Sequence, residues 1–222
     1  MNKIINITTI IIMYIAIFLI SFFPAYLWYK PEHARVGYIF TIGFALTSYI
    51  PFLKDYGRAW RVGLIVLIVF GYSIESIGIL TCFPYGCFSY SEQLGIKLFD
   101  IVPFMLAFNR PPLVFWVWNY TKNIFWHGRK MRLLWGFGLV VIDFVLDPIA
   151  VMMWLWSYPW WWFWFGVPLS NFVGWMFSGT ISMIILDYCI ENNYNKNIYS
   201  TGLRMTMTFF VWYALWRTIL SY

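Results

Sequence analysis

Charge is scarce in this chain. Asp, Glu, Lys and Arg make up 11% of its 222 residues, against about 25% in an ordinary globular domain. With 62% hydrophobic residues and a mean hydropathy of +0.69, it has too little polar surface to cover itself in water, which excludes a soluble fold. Histidine and cysteine are rarer still, at two and three residues. His33 and His127 fall in loops, and no Cys or His spacing follows a zinc pattern, so no metal site is expected. Neither a Gly-x-Gly-x-x-Gly turn nor a phosphate loop follows a strand-like run, so no nucleotide site is expected. The net charge of +6 forms no basic stripe, and nucleic acid is not an expected partner. Internal repeats and low-complexity tracts are also missing, so residues 1–222 read as one integral membrane domain.

What is present is a series of apolar runs near the length that crosses about 30 Å of hydrocarbon. They fall at 4–24, 37–53, 62–80, 101–121, 133–157, 169–188 and 198–220. The expected fold is therefore an all-α bundle of about seven transmembrane helices in the cell membrane. The first run follows Lys3 and lacks a small-x-small cleavage site, so it reads as retained. The last contains Arg204 and Arg217 but no lysine, which excludes a retinal Schiff base.

Orientation follows from the basic residues. Lys3, Lys54, Arg58, Arg61, Lys122, Arg129, Lys130, Arg132 and Lys196 lie on the amino-terminal side. Lys30, Arg35, Lys97 and Arg217 lie on the other, with Arg110 and Arg204 in or near spans. The excess places the amino terminus in the cytoplasm and the carboxyl terminus outside.

Away from the ends of the runs, three carboxyl groups interrupt this apolar frame. Glu75 is the fourteenth residue of the third span and Asp147 the fifteenth of the fifth. Both thus lie about 20 Å from the cytoplasmic end of their helices. Asp143 is one turn below Asp147 on the same face, and Asn171 and Trp175 open the sixth span. Intramembrane acids are costly and mark functional sites by default. The competing structural readings are a partner for Arg110, a hydrogen-bonded plug, or Asp143 capping the backbone opened by Pro148. Two buried neighbouring carboxyls resist ionisation together and keep a proton. Such an acid can move protons for a transporter. It can also protonate an alkene, with aromatic rings and a second carboxylate stabilising the cation.

The motifs then resemble a known family. "ESIGILTCFPYGCFSYSEQLG", then "VP", then "DP" before a tryptophan-rich stretch, then "FGVPLSNFVGW", in that order, look like the carotenoid-biosynthesis membrane hydratases. That group includes the carotenoid 1,2-hydratases and the bisanhydrobacterioruberin hydratases. The resemblance covers residues 70 to 180. It implies a hydro-lyase without cofactor that adds water to the terminal double bond of a linear polyisoprenoid. Protonation gives a tertiary carbocation, and water converts it to a tertiary alcohol. Glu75, Asp147 and Asn171 occupy motif positions, as do Pro84, Tyr85, Gly86 and Tyr90 in the third loop and Gly166, Pro168 and Trp175 around the fifth.

On this reading the hydrophobic tail lies against Tyr72, Trp154 and Trp175. Either Glu75 or Asp147 is the acid and the other positions water, while Asp143 holds the pair and Asn171 binds water or product hydroxyl. The alternatives are a proton-coupled transporter using the same acids and hydration of unsaturated ether-lipid chains. Oligomeric state is not readable. Three features depart from the family pattern: Cys82, Cys87 and "FNRPP". Only four residues separate the two cysteines, and free thiols are the expectation, with a bridge in an oxidising compartment as the alternative. Arg110 is expected just before a fourth helix that starts at Pro111, with residues 81–110 dipping into the membrane as a lid and a second dipping loop between helices five and six. Pairing of Arg110 with a substrate anion is the alternative.

Overall fold

The computed structural model describes residues 58–124, 132–152, 154–159 and 163–190. These form four helices: α1 Arg58–Thr81, α2 Phe104–Ile124, α3 Arg132–Met152 and α4 Leu169–Ile190. Within them, Arg61–Thr81, Trp135–Met152 and Leu169–Cys189 are long and apolar enough to cross a membrane. The segment α2 matches them in length, but it carries Asn109, Arg110 and two prolines. The runs expected at 4–24, 37–53 and 198–220 lie outside the described residues.

Each helix end has a local cause. At the end of α1 the Thr81 hydroxyl donates back to the Ile77 carbonyl at 2.7 Å. Cys82 then takes a left-handed φ of 62° while its N–H reaches the Gly78 carbonyl at 2.8 Å, an αL-type stop. Cys82 and Cys87 are joined by a disulfide, which overturns the free-thiol expectation. The intervening turn brings their Cα atoms to 4.2 Å, so short sequence separation is no obstacle to a bridge.

The Pro111 start of the fourth helix is also overturned. The α2 helix begins at Phe104, directly after a two-stranded hairpin of β2 (Lys97–Leu98) with β3 (Val102–Pro103). Pro111 and Pro112 therefore lie inside the helix, where each removes an N–H donor. Arg110 is only 5% exposed, and its side chain is held by Glu75 on α1, by Ser178 and Trp175 on α4 and by Tyr85 of the loop after α1.

The α3 helix ends at Met152, five residues short of the expected 157. Its Pro148 removes the donor that the Phe144 carbonyl would otherwise receive. The Trp164 indole N–H supplies it at 3.0 Å, with the Trp164 ring 4.7 Å from that of Phe144. Asp143 is therefore not the cap at the proline. One member of the tryptophan run thus has a backbone partner in α3.

The two inter-helix loops sit at the same end of the bundle and are tied together. The strands β1 (Ser89–Tyr90) and β4 (Trp156–Ser157) pair antiparallel, Ser89 with Ser157 and Tyr90 with Trp156. Beneath them lies a core of Leu67, Val114, Phe115, Leu139, Met183 and Leu186. The closest helix pair is α3 with α4. Gly136 meets Thr180 and the Met176 carbonyl there, and Gly179 meets Leu139. Small residues let membrane helices approach in this way, where lipid gives no hydrophobic drive.

Gly174 gives the first loop room to enter the bundle. A Cβ there would sit 2.9 Å from the backbone of Pro84 and 2.5 Å from the Tyr85 ring. The Gly174→Val change should therefore cost about 1–3 kcal/mol through overpacking and expel the loop. A thermal melt of detergent-purified protein checks this, and a midpoint equal to wild type would show that the loop does not pack there.

Candidate active site

The carboxyl groups fall into two clusters, one around Arg110 and one around Asn171. In the first, Glu75 of α1 accepts from Arg110 Nη1 at 2.7 Å through Oε1 and from the Tyr90 hydroxyl at 2.8 Å through Oε2. Both carboxylate oxygens are thus engaged, one by a cation and one by a phenol. Arg110 also donates to Ser178 on α4. Its guanidinium lies 4.5 Å from the Trp175 ring centroid and 5.7 Å from that of Tyr85. A buried cation among rings and one counter-ion is the arrangement that offsets its desolvation.

In the second cluster Asp143 and Asp147 share one donor. Asn171 Nδ2 reaches Asp143 Oδ2 at 2.8 Å and Asp147 Oδ2 at 2.6 Å. The Tyr158 hydroxyl adds a donor to Asp147 Oδ2 at 2.8 Å. Among the described residues neither aspartate has an ion-pair partner. All three of Asp143, Asp147 and Asn171 are 4% exposed or less.

Aromatic rings connect the clusters. Phe88 is 5.2 Å from Tyr90 and 6.0 Å from Tyr158, centroid to centroid. Tyr85 lies 6.3 Å from Trp175 and hydrogen-bonds Ser178 at 2.9 Å. Burial, then the nearby carboxylates, holds the loop phenols of Tyr90 and Tyr158 well above their ordinary range, so both remain donors.

The remaining sequence candidates are placed as follows. Pro84, Tyr85 and Gly86 form the inserted turn, with Gly86 at φ 88° against Ser170. Ser170 donates in turn to the Tyr85 carbonyl at 3.1 Å. Tyr72 turns to the hairpin and donates to the Leu98 carbonyl at 2.8 Å. Trp154 follows the end of α3 at φ 57° and is 75% exposed. The structure therefore joins Glu75, Asp143, Asp147, Tyr85, Tyr90, Asn171 and Trp175, and sets Tyr72 and Trp154 apart from them.

Sequence reasoning missed Ser178, Tyr158 and Phe88, and it misplaced Arg110. Ser178 carried a signal: Asn171, Trp175 and Ser178 stand at i, i+4 and i+7, one helix face. Tyr158 and Phe88 lie in loops and carried none.

Residues 36–222 match the family described as carotenoid biosynthesis protein. The chain belongs to that family. It is also 34% identical over 139 residues to the bisanhydrobacterioruberin hydratase of Haloarcula japonica, an alignment covering 59% of this chain and 46% of that protein. The chain thus spans just under half the length of this relative. No solved structure matches it significantly. The family match takes in both clusters and both loops.

The Glu75–Arg110 pair makes a stability prediction of its own. Glu75→Leu leaves a buried guanidinium without its counter-ion and should cost about 3–5 kcal/mol. Adding Arg110→Met should restore more than half of the loss, because both charges are then gone. Unfolding midpoints of the two single variants and the double variant decide it, and strictly additive losses would mean the pair does not interact.

Proposed function

We propose that this protein is an integral membrane hydratase acting on the terminal double bond of a linear polyisoprenoid, with a carotenoid as substrate. The observation that carries the reading is the meeting of three carboxyl groups from two helices in one buried, ring-lined network. Family membership and the name of the Haloarcula japonica relative support the substrate class.

The chemistry needs a proton donor, a shelter for positive charge and a water. A carboxyl of the network delivers its proton to the less substituted alkene carbon, and the π electrons form the new C–H bond. The charge left on the tertiary carbon faces carboxylate and the ring of Phe88, whose neighbours Tyr90 and Tyr158 extend the aromatic surface. Water oxygen then bonds that carbon and gives up a proton to a carboxylate, so the acid is regenerated. Asn171 orients the two aspartates and is the group placed to hold water or the product hydroxyl. No group in this cycle changes oxidation state.

The end of the bundle that holds the loops faces away from the cytoplasm. The Cys82–Cys87 bridge at that end supports this orientation, because disulfides persist in oxidising compartments. The amino terminus then lies in the cytoplasm, the orientation that the distribution of Lys and Arg favours.

Membranes containing the protein, supplied with lycopene, should yield a pigment heavier by one water and carrying a tertiary hydroxyl. Mass spectrometry reads the gain. Asp147→Asn should lower the yield by at least about 100-fold, the ordinary loss on removing a general acid or base. An unchanged pigment pool, together with proton flux in proteoliposomes, would replace this reading with transport.

A further inference from the structure

We infer that Arg110 is a positioning residue that assigns the two carboxyl clusters different jobs: Glu75 is the base that directs water, and the Asp143–Asp147 pair is the proton source. The inference rests on the hydratase reading above and deepens it.

The first ground is the set of partners around Glu75. Both of its oxygens accept, from Arg110 Nη1 at 2.7 Å and from Tyr90 at 2.8 Å, and a guanidinium cannot act as an acceptor. A cation 2.7 Å from one oxygen and a phenol donating to the other both favour the ionised form of the carboxyl. Glu75 is therefore a carboxylate in the resting site. Arg110 cannot retreat, because Ser178 binds it and Trp175 and Tyr85 flank its guanidinium.

The second ground is the opposite set around the aspartates. Asn171 and Tyr158 are neutral donors, and neither carboxyl has an ion-pair partner among the described residues. Two carboxylates that share one donor in a buried site repel each other, and a proton retained on one of them relieves the repulsion, so the pair holds one between them. The asymmetry of environment is the kind that separates an acid from a base elsewhere in enzymology.

The reaction then divides cleanly. The proton shared by the aspartates passes to the alkene and leaves the pair as two carboxylates beside the cation. Glu75 accepts a proton from the attacking water as the C–O bond forms. A proton returned from Glu75 to the aspartates, with Tyr90 and solvent between them, restores the starting state. If water does not attack, the pair takes a proton back from the carbon it has just protonated, and the original alkene is regenerated with a solvent hydrogen on that carbon.

That reversal supplies the test. The full-length protein in membranes is given lycopene in D2O, and two quantities are followed by mass spectrometry: alcohol formed, and deuterium in the recovered alkene. Wild type must form alcohol, and failure there refutes the hydratase reading itself. Given an active wild type, Glu75→Gln should lose alcohol by about 100-fold or more while deuterium in recovered alkene stays at or above the wild-type level. Asp147→Asn should lose both. Arg110→Lys, which keeps a cation, should retain more alcohol than Arg110→Gln, again with exchange preserved. Loss of exchange together with hydration in Glu75→Gln would overturn the assignment, as would exchange surviving in Asp147→Asn. Equal loss in the two Arg110 variants would overturn the positioning role.

Discussion

A guanidinium buried among hydrocarbon is the constraint that most of this architecture answers. An isolated charge in low dielectric costs several kcal/mol, so every element near Arg110 must contribute something to keep it there. The α1 helix contributes Glu75, α4 contributes Ser178 and the Trp175 ring, and the first loop contributes Tyr85. Three segments distant in sequence are thereby fixed relative to one another. The same contacts set the position of Glu75 to within the tolerance of a hydrogen bond.

The loops behave as a second layer of the bundle rather than as connectors. Each sends a tyrosine to a carboxyl group, Tyr90 to Glu75 and Tyr158 to Asp147. The short β1–β4 ladder holds the strands that carry or precede those residues, and Phe88 packs between the two rings. Tyr85 reaches Ser178, the tenth residue of α4, about 14 Å along that helix from its start. Burying loop backbone at this depth is tolerated only where protein surrounds it. The disulfide between Cys82 and Cys87, which brackets the Tyr85 turn, and the close fit at Gly174 meet that condition.

Prolines inside α2 and α3 show the same economy. The carbonyl freed by Pro148 is satisfied by an indole from the following loop, so the residue that disturbs the helix beside Asp147 also anchors the chain leading into α4. Backbone irregularity and carboxylate placement occur together, as is common where a membrane helix lines a functional interior.

Much of this was legible without coordinates. Apolar runs located α1, α3 and α4 closely, because the length of a membrane helix is set by hydrocarbon thickness and needs no tertiary information. The acids and Asn171 announced themselves because polar groups in such runs are costly enough to require a reason. Tertiary structure alone decided their partners. Arg110 beside two prolines read as a helix boundary, since local propensity is all that neighbours in sequence reveal, and burial against Glu75 reversed that reading. The Cys82–Cys87 bridge, the Trp164 contact to Phe144 and the tyrosines on the carboxyls depend on where a loop folds back. Loop paths carry no periodicity, so their contacts were fixed only by packing in three dimensions.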